Sequence, residues 1–405
     1  MTTRTPTSAA RTLRSLLVAS VQQDTVPPLE ALAACSPEQA VDAANRHRIT
    51  PAVYLAVKGV GLPDAWLAAL HAAYEQQLLR HLTTAADLAL VTEVLSEVLA
   101  DVPPDQGSRW AVMKGPVLSD CLWPRPDMRQ YYDLDVLVDR RRYRAVLNAL
   151  VERGARLIDG NWPLVAAQMR AELSVLLPYG TVLDLHWDLV NEAGIRRQLD
   201  LPTGDLLDRV RPVTVGALEV PTFDAPDTLL SLALHADLAG ATRLVWLKDI
   251  ERAAAADGLD WDEVGRRAAA RGLGLALALA LGKTERVLGI EGGMAGGARR
   301  GRSGRARRAG RTASAAWTAW APWALAASVA DRLVATPGLS DEQHSGQLIY
   351  RSVRRTSAQS AAAAWRERRH PPEGWTTAHN PLHQPVDDPD ARAAYFGALE
   401  GAERP

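Results

Sequence analysis

Arg129-Gln-Tyr-Tyr-Asp-Leu-Asp-Val-Leu-Val138 places two carboxylates, Asp133 and Asp135, two positions apart inside an apolar run. Successive side chains on a strand point to opposite faces, so Asp133 and Asp135 share one face while Leu134, Val136 and Val138 take the other. Two carboxylates side by side on a half-buried strand repel each other and resist desolvation unless positive charge sits between them. A divalent metal with oxygen ligands is one remedy. The plainer alternative is a strand with a solvated polar face, as antiparallel sheets commonly have.

The segments around this strand alternate in type. Trp110–Met113 reads as a short buried strand, closed by Lys114-Gly115-Pro116 and a helix carrying Leu118 and Leu122. Pro116 suits the first helical turn, where its missing N–H is not needed. A helix is expected from Arg142 to Arg153. Glu172–Leu177 and Thr181–Trp187 read as a hairpin around Pro178-Tyr179-Gly180. Strand, helix, strand, helix and hairpin describe an α+β core of residues 101–215 built on a small mixed sheet.

Helical patterns flank this core. Over residues 1–100, Leu13, Leu16 and Leu17 and then Leu88, Val91, Leu95 and Val98 recur at helix spacing. Ser36 and Gln39 bracket a capping box. Residues 216–290 form a second helical segment, with Asp224 as a cap ahead of Pro226. Residues 291–311 are rich in Gly and Arg and read as a linker. Helices are expected again over 312–369, and the Pro-, Asp- and His-rich residues 370–405 read as a flexible tail.

Composition narrows the function classes. In 405 residues, 46 basic and 47 acidic side chains leave a formal net charge of -1, so no global field points to nucleic acid or a membrane. The two cysteines cannot form a disulfide framework. The polar N-terminus has no signal-peptide core, and the apolar run Leu273–Leu281 is too short to span a bilayer. A cytoplasmic protein is the expectation. Abundant Ala, Arg and Leu with little Phe and Lys suits a high-GC bacterial genome.

The hairpin adds a third acid. In Thr181-Val-Leu-Asp-Leu-His-Trp187, alternation puts Val182, Asp184 and His186 on one face. Asp188 is the competing acid, at the strand's end. Were this strand beside the first, Asp133, Asp135 and Asp184 would line one sheet face, a set suited to two magnesium ions and a nucleotide's phosphates. Gly115 would let backbone N–H groups approach those phosphates at a helix start, with Lys114 and Arg129 adding positive charge. His186 would either bond a carboxylate or phosphate or pack at the sheet edge. Arg129 would either touch substrate or brace the Asp pair.

A Gly-containing turn after a first strand, then D-h-D and h-D-h (h, hydrophobic), resembles the DNA polymerase β-like nucleotidyltransferase superfamily. More closely, Val112-Met-Lys-Gly-Pro116, Arg129-x-x-x-Asp133-Leu-Asp135, Leu183-Asp-Leu-His-Trp187, Leu232-Ala-Leu-His235-Ala and Trp246-Leu-Lys-Asp249 resemble the uncharacterised bacterial nucleotidyltransferases. The resemblance implies transfer of an NMP from an NTP such as ATP onto an acceptor hydroxyl. It makes Asp133, Asp135 and Asp184 the metal ligands for Mg2+, and Asp184 the group that polarises the acceptor. The acceptor class it implies is a peptide, a small molecule or an RNA end, with peptide natural-product pathways among the family's associations. One departure stands out: the superfamily's Gly-Gly or Gly-Ser is Gly115-Pro116 here, and Pro116 can donate no hydrogen bond. Triphosphate binding would then lean on Lys114, Ser119 or Arg129. The rival class is a catalytically silent nucleotide- or peptide-binding module that keeps the fold.

Other features carry blander readings. His235 sits in an apolar helical run and reads as a core histidine. Trp246 and Asp249 read as packing anchors, with Arg243 or His235 as partner for Asp249. The arginines between 299 and 311 lack interleaved aromatics and read as a solvated linker rather than an RNA site. Trp317, Trp320 and Trp323 recur at helical spacing and read as a buried stripe or an acceptor-docking face.

Overall fold

The computed structural model describes residues 8–23, 35–101, 109–199, 201–290, 350–369 and 380–401. The expected linker over 291–311 with its arginine run, the helix over 312–335 with its three tryptophans, and the start of the tail lie outside them. The chain divides into two units. One comprises residues 1–78, 122–130 and 228–371, the other residues 79–121, 131–227 and 372–405. The helix Asp64–Val98 therefore gives its first part to one unit and the remainder, from Leu79, to the other.

The second unit is built on a five-stranded sheet: β1 (Trp110–Val112), β2 (Asp133–Val138), β3 (Arg156–Leu157), β4 (Glu172–Leu176) and β5 (Val182–His186), in the order β1-β2-β5-β4-β3. β2 and β5 are parallel and every other pair is antiparallel, giving the mixed sheet expected of an α+β core. One face is apolar. Leu134, Val136 and Val138 of β2, Leu183 and Leu185 of β5, and Leu173 and Val175 of β4 bury there in one cluster with Leu88, Val91 and Leu95 of the long helix and Val146, Leu147 and Leu150 of the helix Tyr143–Glu152. Each such side chain contributes about 1.5–3 kcal/mol when fully buried. A one-residue slip of β2 would send that set to the opposite face and the carboxylates into the core, so burial fixes the register that aims Asp133 and Asp135. Asp87 of the long helix accepts from the Tyr179 and Thr181 N–H groups at 3.1 and 2.9 Å and anchors the β4–β5 turn.

A second hairpin, β6 (Arg211–Val215) and β7 (Leu218–Thr222), joins this unit through Val213, Val215 and Val220 in the same cluster, and the Thr222 hydroxyl donates to the Val112 carbonyl. Over residues 380–401 the expected flexible tail is instead ordered structure. The stretch crosses beside residues 160–161, where Gly160 N–H donates to Leu382 O and Val386 N–H to Gly160 O, and continues into the helix Pro389–Gly401. Tyr395 and Phe396 pack against Trp162, and Leu382, Tyr395, Phe396 and Leu399 are buried in the main cluster. A few well-spaced apolar residues outweigh the polar composition between them.

The first unit is helical. Ser36 and Gln39 close the expected capping box, each side chain bonded to the other's backbone N–H. Leu13, Leu16 and Leu17 of the helix Ser8–Gln22 pack with Val53 and Val57 of Thr50–Val57 and Leu244 and Leu247 of Leu244–Ala254. Asp249 takes a partner other than the expected Arg243 or His235. It accepts three hydrogen bonds from the Arg129 guanidinium, at 2.9, 3.2 and 2.8 Å, and one from the Trp123 indole at 2.7 Å, all buried. Arg243 lies instead over the Trp246 ring, and His235 meets that ring edge-on.

Candidate active site

The face of the sheet opposite the main core carries the acids. In the β2–β5 register Asp135 lies beside Asp184 and Leu137 beside His186; in the β5–β4 register Asp184 lies beside Ser174 and His186 beside Glu172. Asp133, two residues before Asp135, shares that face. Asp133, Asp135, Glu172, Ser174, Asp184 and His186 therefore form one polar patch. At its edge Ala111, Met113 and Leu137 turn onto a smaller apolar cluster with Leu206, Leu207 and Phe223.

The turn after β1 supplies the positive charge. Gly115 has φ +66, and a Cβ there would stand 3.0 Å from the Asp133 carbonyl oxygen. A side chain at this position would meet both backbone strain and a backbone atom. The turn brings Lys114 onto the patch, where its ammonium lies 2.7 Å from Asp135 Oδ1. Burial pulls the Lys114 amine down, but Asp135 and then Asp133 outweigh it and the net shift is upward. Burial likewise pushes Asp135 up, and Lys114 with His186 holds it well below the ordinary carboxylate range.

The rest of the patch is left over-acidic. Burial first, and then the charges of Glu172 and Asp135, push the Asp184 carboxyl up to about 8. Its Oδ1 accepts from the Ser174 hydroxyl at 2.7 Å. His186 is buried, its Nε2 3.4 Å from Asp135 and its Nδ1 3.8 Å from Glu172, yet neither ring nitrogen completes a hydrogen bond. Burial pulls the imidazole down while Glu172 and Asp135 raise it, with a net rise. Among the described residues no three His, Cys, Asp or Glu side chains stand as a ready-made metal cage.

Ser119, Arg129 and the competing acid Asp188 each make bonds of their own. Ser119 is fully buried and its hydroxyl donates to the Gly115 carbonyl, which supports the turn. Arg129 belongs to the first unit, held by Asp249. Asp188 lies past the end of β5, where its carboxylate accepts from the Val190 N–H, and burial pushes it up to about 6. Glu172 and Ser174 were not among the expected residues, although the alternation of Glu172-Leu-Ser-Val-Leu176 carries both onto the patch.

An ordered acid pair, a facing acid on a parallel strand and a Gly turn coincide with a sequence match over residues 34–289 to the family described as uncharacterised nucleotidyltransferase. The chain belongs to that family. Both units of this nucleotidyltransferase family member contribute to the matched span, and the ordered stretch from Asn380 lies outside it. A search of curated proteins finds no match. Nucleotidyltransferase chemistry implies a nucleotide substrate, and among the described residues no helix is long and apolar enough to cross a membrane.

Proposed function

We propose that the acid-lined face transfers a nucleotidyl group from an NTP to an acceptor hydroxyl in a magnesium-dependent reaction, on a core of polymerase β-like type. The observation that carries this reading is the register that sets Asp135 beside Asp184, with Asp133 on the same face and Lys114 at its edge. In its chemistry the donor set suits a hard divalent cation, though among the described residues the side chains do not stand as a closed cage. It is made of carboxylate oxygens, and its excess negative charge already draws an ammonium group onto Asp135. Asp133, Asp135 and Asp184 would hold the metal, which would supply Lewis-acid stabilisation of the phosphates.

The chain's own groups divide the remaining work. Asp184, which accepts from the Ser174 hydroxyl, would in its ionised form take the proton of the acceptor hydroxyl. The new bond joins that hydroxyl oxygen to the α-phosphorus, and the bond to the departing pyrophosphate breaks. Lys114 is the cation available to the triphosphate. Arg129, neutralised by Asp249, acts as a brace, and Ser119 keeps the turn in shape. The acceptor is a peptide, a small molecule or an RNA end. Cys35 and Cys121, not joined in a disulfide, suit a reducing cytoplasmic setting.

Calorimetry with each NTP in magnesium tests the reading. Binding is expected that requires Mg2+ and disappears in Asp133→Asn and Asp135→Asn; no magnesium-dependent binding of any NTP would overturn it. The second reading, a silent binding module, is favoured by Pro116 and by the lysine seated on Asp135. It predicts NTP binding that is indifferent to magnesium and survives both Asn variants.

A further inference from the structure

We infer that Lys114 is the site's resident counter-ion, occupying Asp135 until a metal displaces it and so suppressing metal binding in the absence of nucleotide. This rests on the nucleotidyl-transfer reading and adds how the site is loaded. Lys114 Nζ lies 2.7 Å from Asp135 Oδ1, the distance of a charge-assisted hydrogen bond. That oxygen also has His186 Nε2 at 3.4 Å. A divalent ion held by Asp135 would share a carboxylate that the ammonium already neutralises, and the two positive charges would repel. The two cations compete for one ligand.

The geometry allows the exchange. Asp135 is 5% exposed and fixed within β2, whereas the Lys114 side chain keeps 20% of its surface in solvent. Its flexible four-carbon stem can swing the ammonium off the acid face without moving the strand. A triphosphate arriving at the site offers that ammonium a new anion as the metal takes Asp135. Metal and nucleotide then enter together, each relieving the other's cost, which is a coupling between two ligands through one side chain.

Titration of Mn2+ by electron paramagnetic resonance, without nucleotide, tests this in wild type, Lys114→Met, Asp135→Asn and the double variant. Lys114→Met is expected to bind Mn2+ about tenfold tighter than wild type, equivalent to ~1.4 kcal/mol, and Asp135→Asn to abolish binding in both backgrounds. Equal or weaker Mn2+ binding by Lys114→Met, still sensitive to Asp135→Asn, would overturn the lysine's role and leave the magnesium site standing. No Asp135-dependent binding in any variant would overturn both. Thermal melting covers the case of a Lys114→Met protein too unstable to titrate. Stabilisation by Mn2+ that is larger in Lys114→Met than in wild type supports the competition, and its absence overturns it.

Discussion

Two buried charge clusters, one in each unit, have opposite character. In the first unit, Arg129 and Trp123 saturate Asp249 with short hydrogen bonds, and the charges cancel. In the second, Lys114 and His186 face Asp133, Asp135, Asp184 and Glu172, and like charge raises the Asp184 carboxyl. The first arrangement is complete in itself and fixes helix Leu244–Ala254 to the segment around Arg129. The second is an unfinished circuit, its histidine nitrogens without hydrogen bonds and its central acid pushed toward the neutral form. A charge cluster in which like charges strain one another is where a functional site is to be sought first.

That contrast is broken most severely at Asp249. Asp249→Ala takes the carboxylate away from a buried guanidinium and an indole N–H, and a loss of about 3–5 kcal/mol is expected in chemical denaturation. A loss smaller than about 1 kcal/mol would show that the pair is not the brace described. At the acid face, Gly115→Ala forces a Cβ toward the Asp133 carbonyl at positive φ. The expected cost is on the order of 1–3 kcal/mol, and magnesium-dependent NTP binding should weaken with it, both measurable on one preparation.

The smallest effect has the opposite sign and is the sharpest discriminator. Asp184 has its carboxyl raised to about 8 when folded, against about 3.9 when unfolded. Between those values the folded state binds more protons than the unfolded state, so stability falls as pH rises and the loss is complete above the folded value. Asp184→Asn is therefore expected to stabilise the metal-free protein at pH 8 by on the order of 1 kcal/mol and to flatten the slope between pH 4 and 8. Denaturation curves across that range check it, and an unchanged slope would remove Asp184 from the over-acidic set. Asp135 contributes with the reverse sign, since its lowered value makes its stabilisation present above the unfolded value and lost only in strong acid.

Much of this was legible from residue order. The run Asp133–Val138 and the hairpin strands fall within a residue or two of their expected positions, because alternation between two chemically distinct faces leaves little freedom of register. The same alternation held Glu172 and Ser174, which attract notice only once β4 is known to lie beside β5. The β6–β7 hairpin was not legible. Pro212 and Pro221 pair with each other across it, in strands that otherwise read as irregular chain. Nor was the Lys114–Asp135 contact, which depends on how a long side chain leaves a turn, or the Arg129–Asp249 pair, which joins positions 120 apart.

The docking of Tyr395 onto Trp187 spans 208 positions of chain. During synthesis the sheet of the second unit leaves the ribosome long before the residues that cover its Trp162 and Trp187 edge. At about 5–20 residues per second, the interval is roughly ten to forty seconds. Throughout it the nascent unit presents bare aromatic surface to the cell, a window in which a chaperone or a neighbouring nascent chain can engage it. A fragment cut at the family boundary, residues 34–289, would remain in that condition permanently.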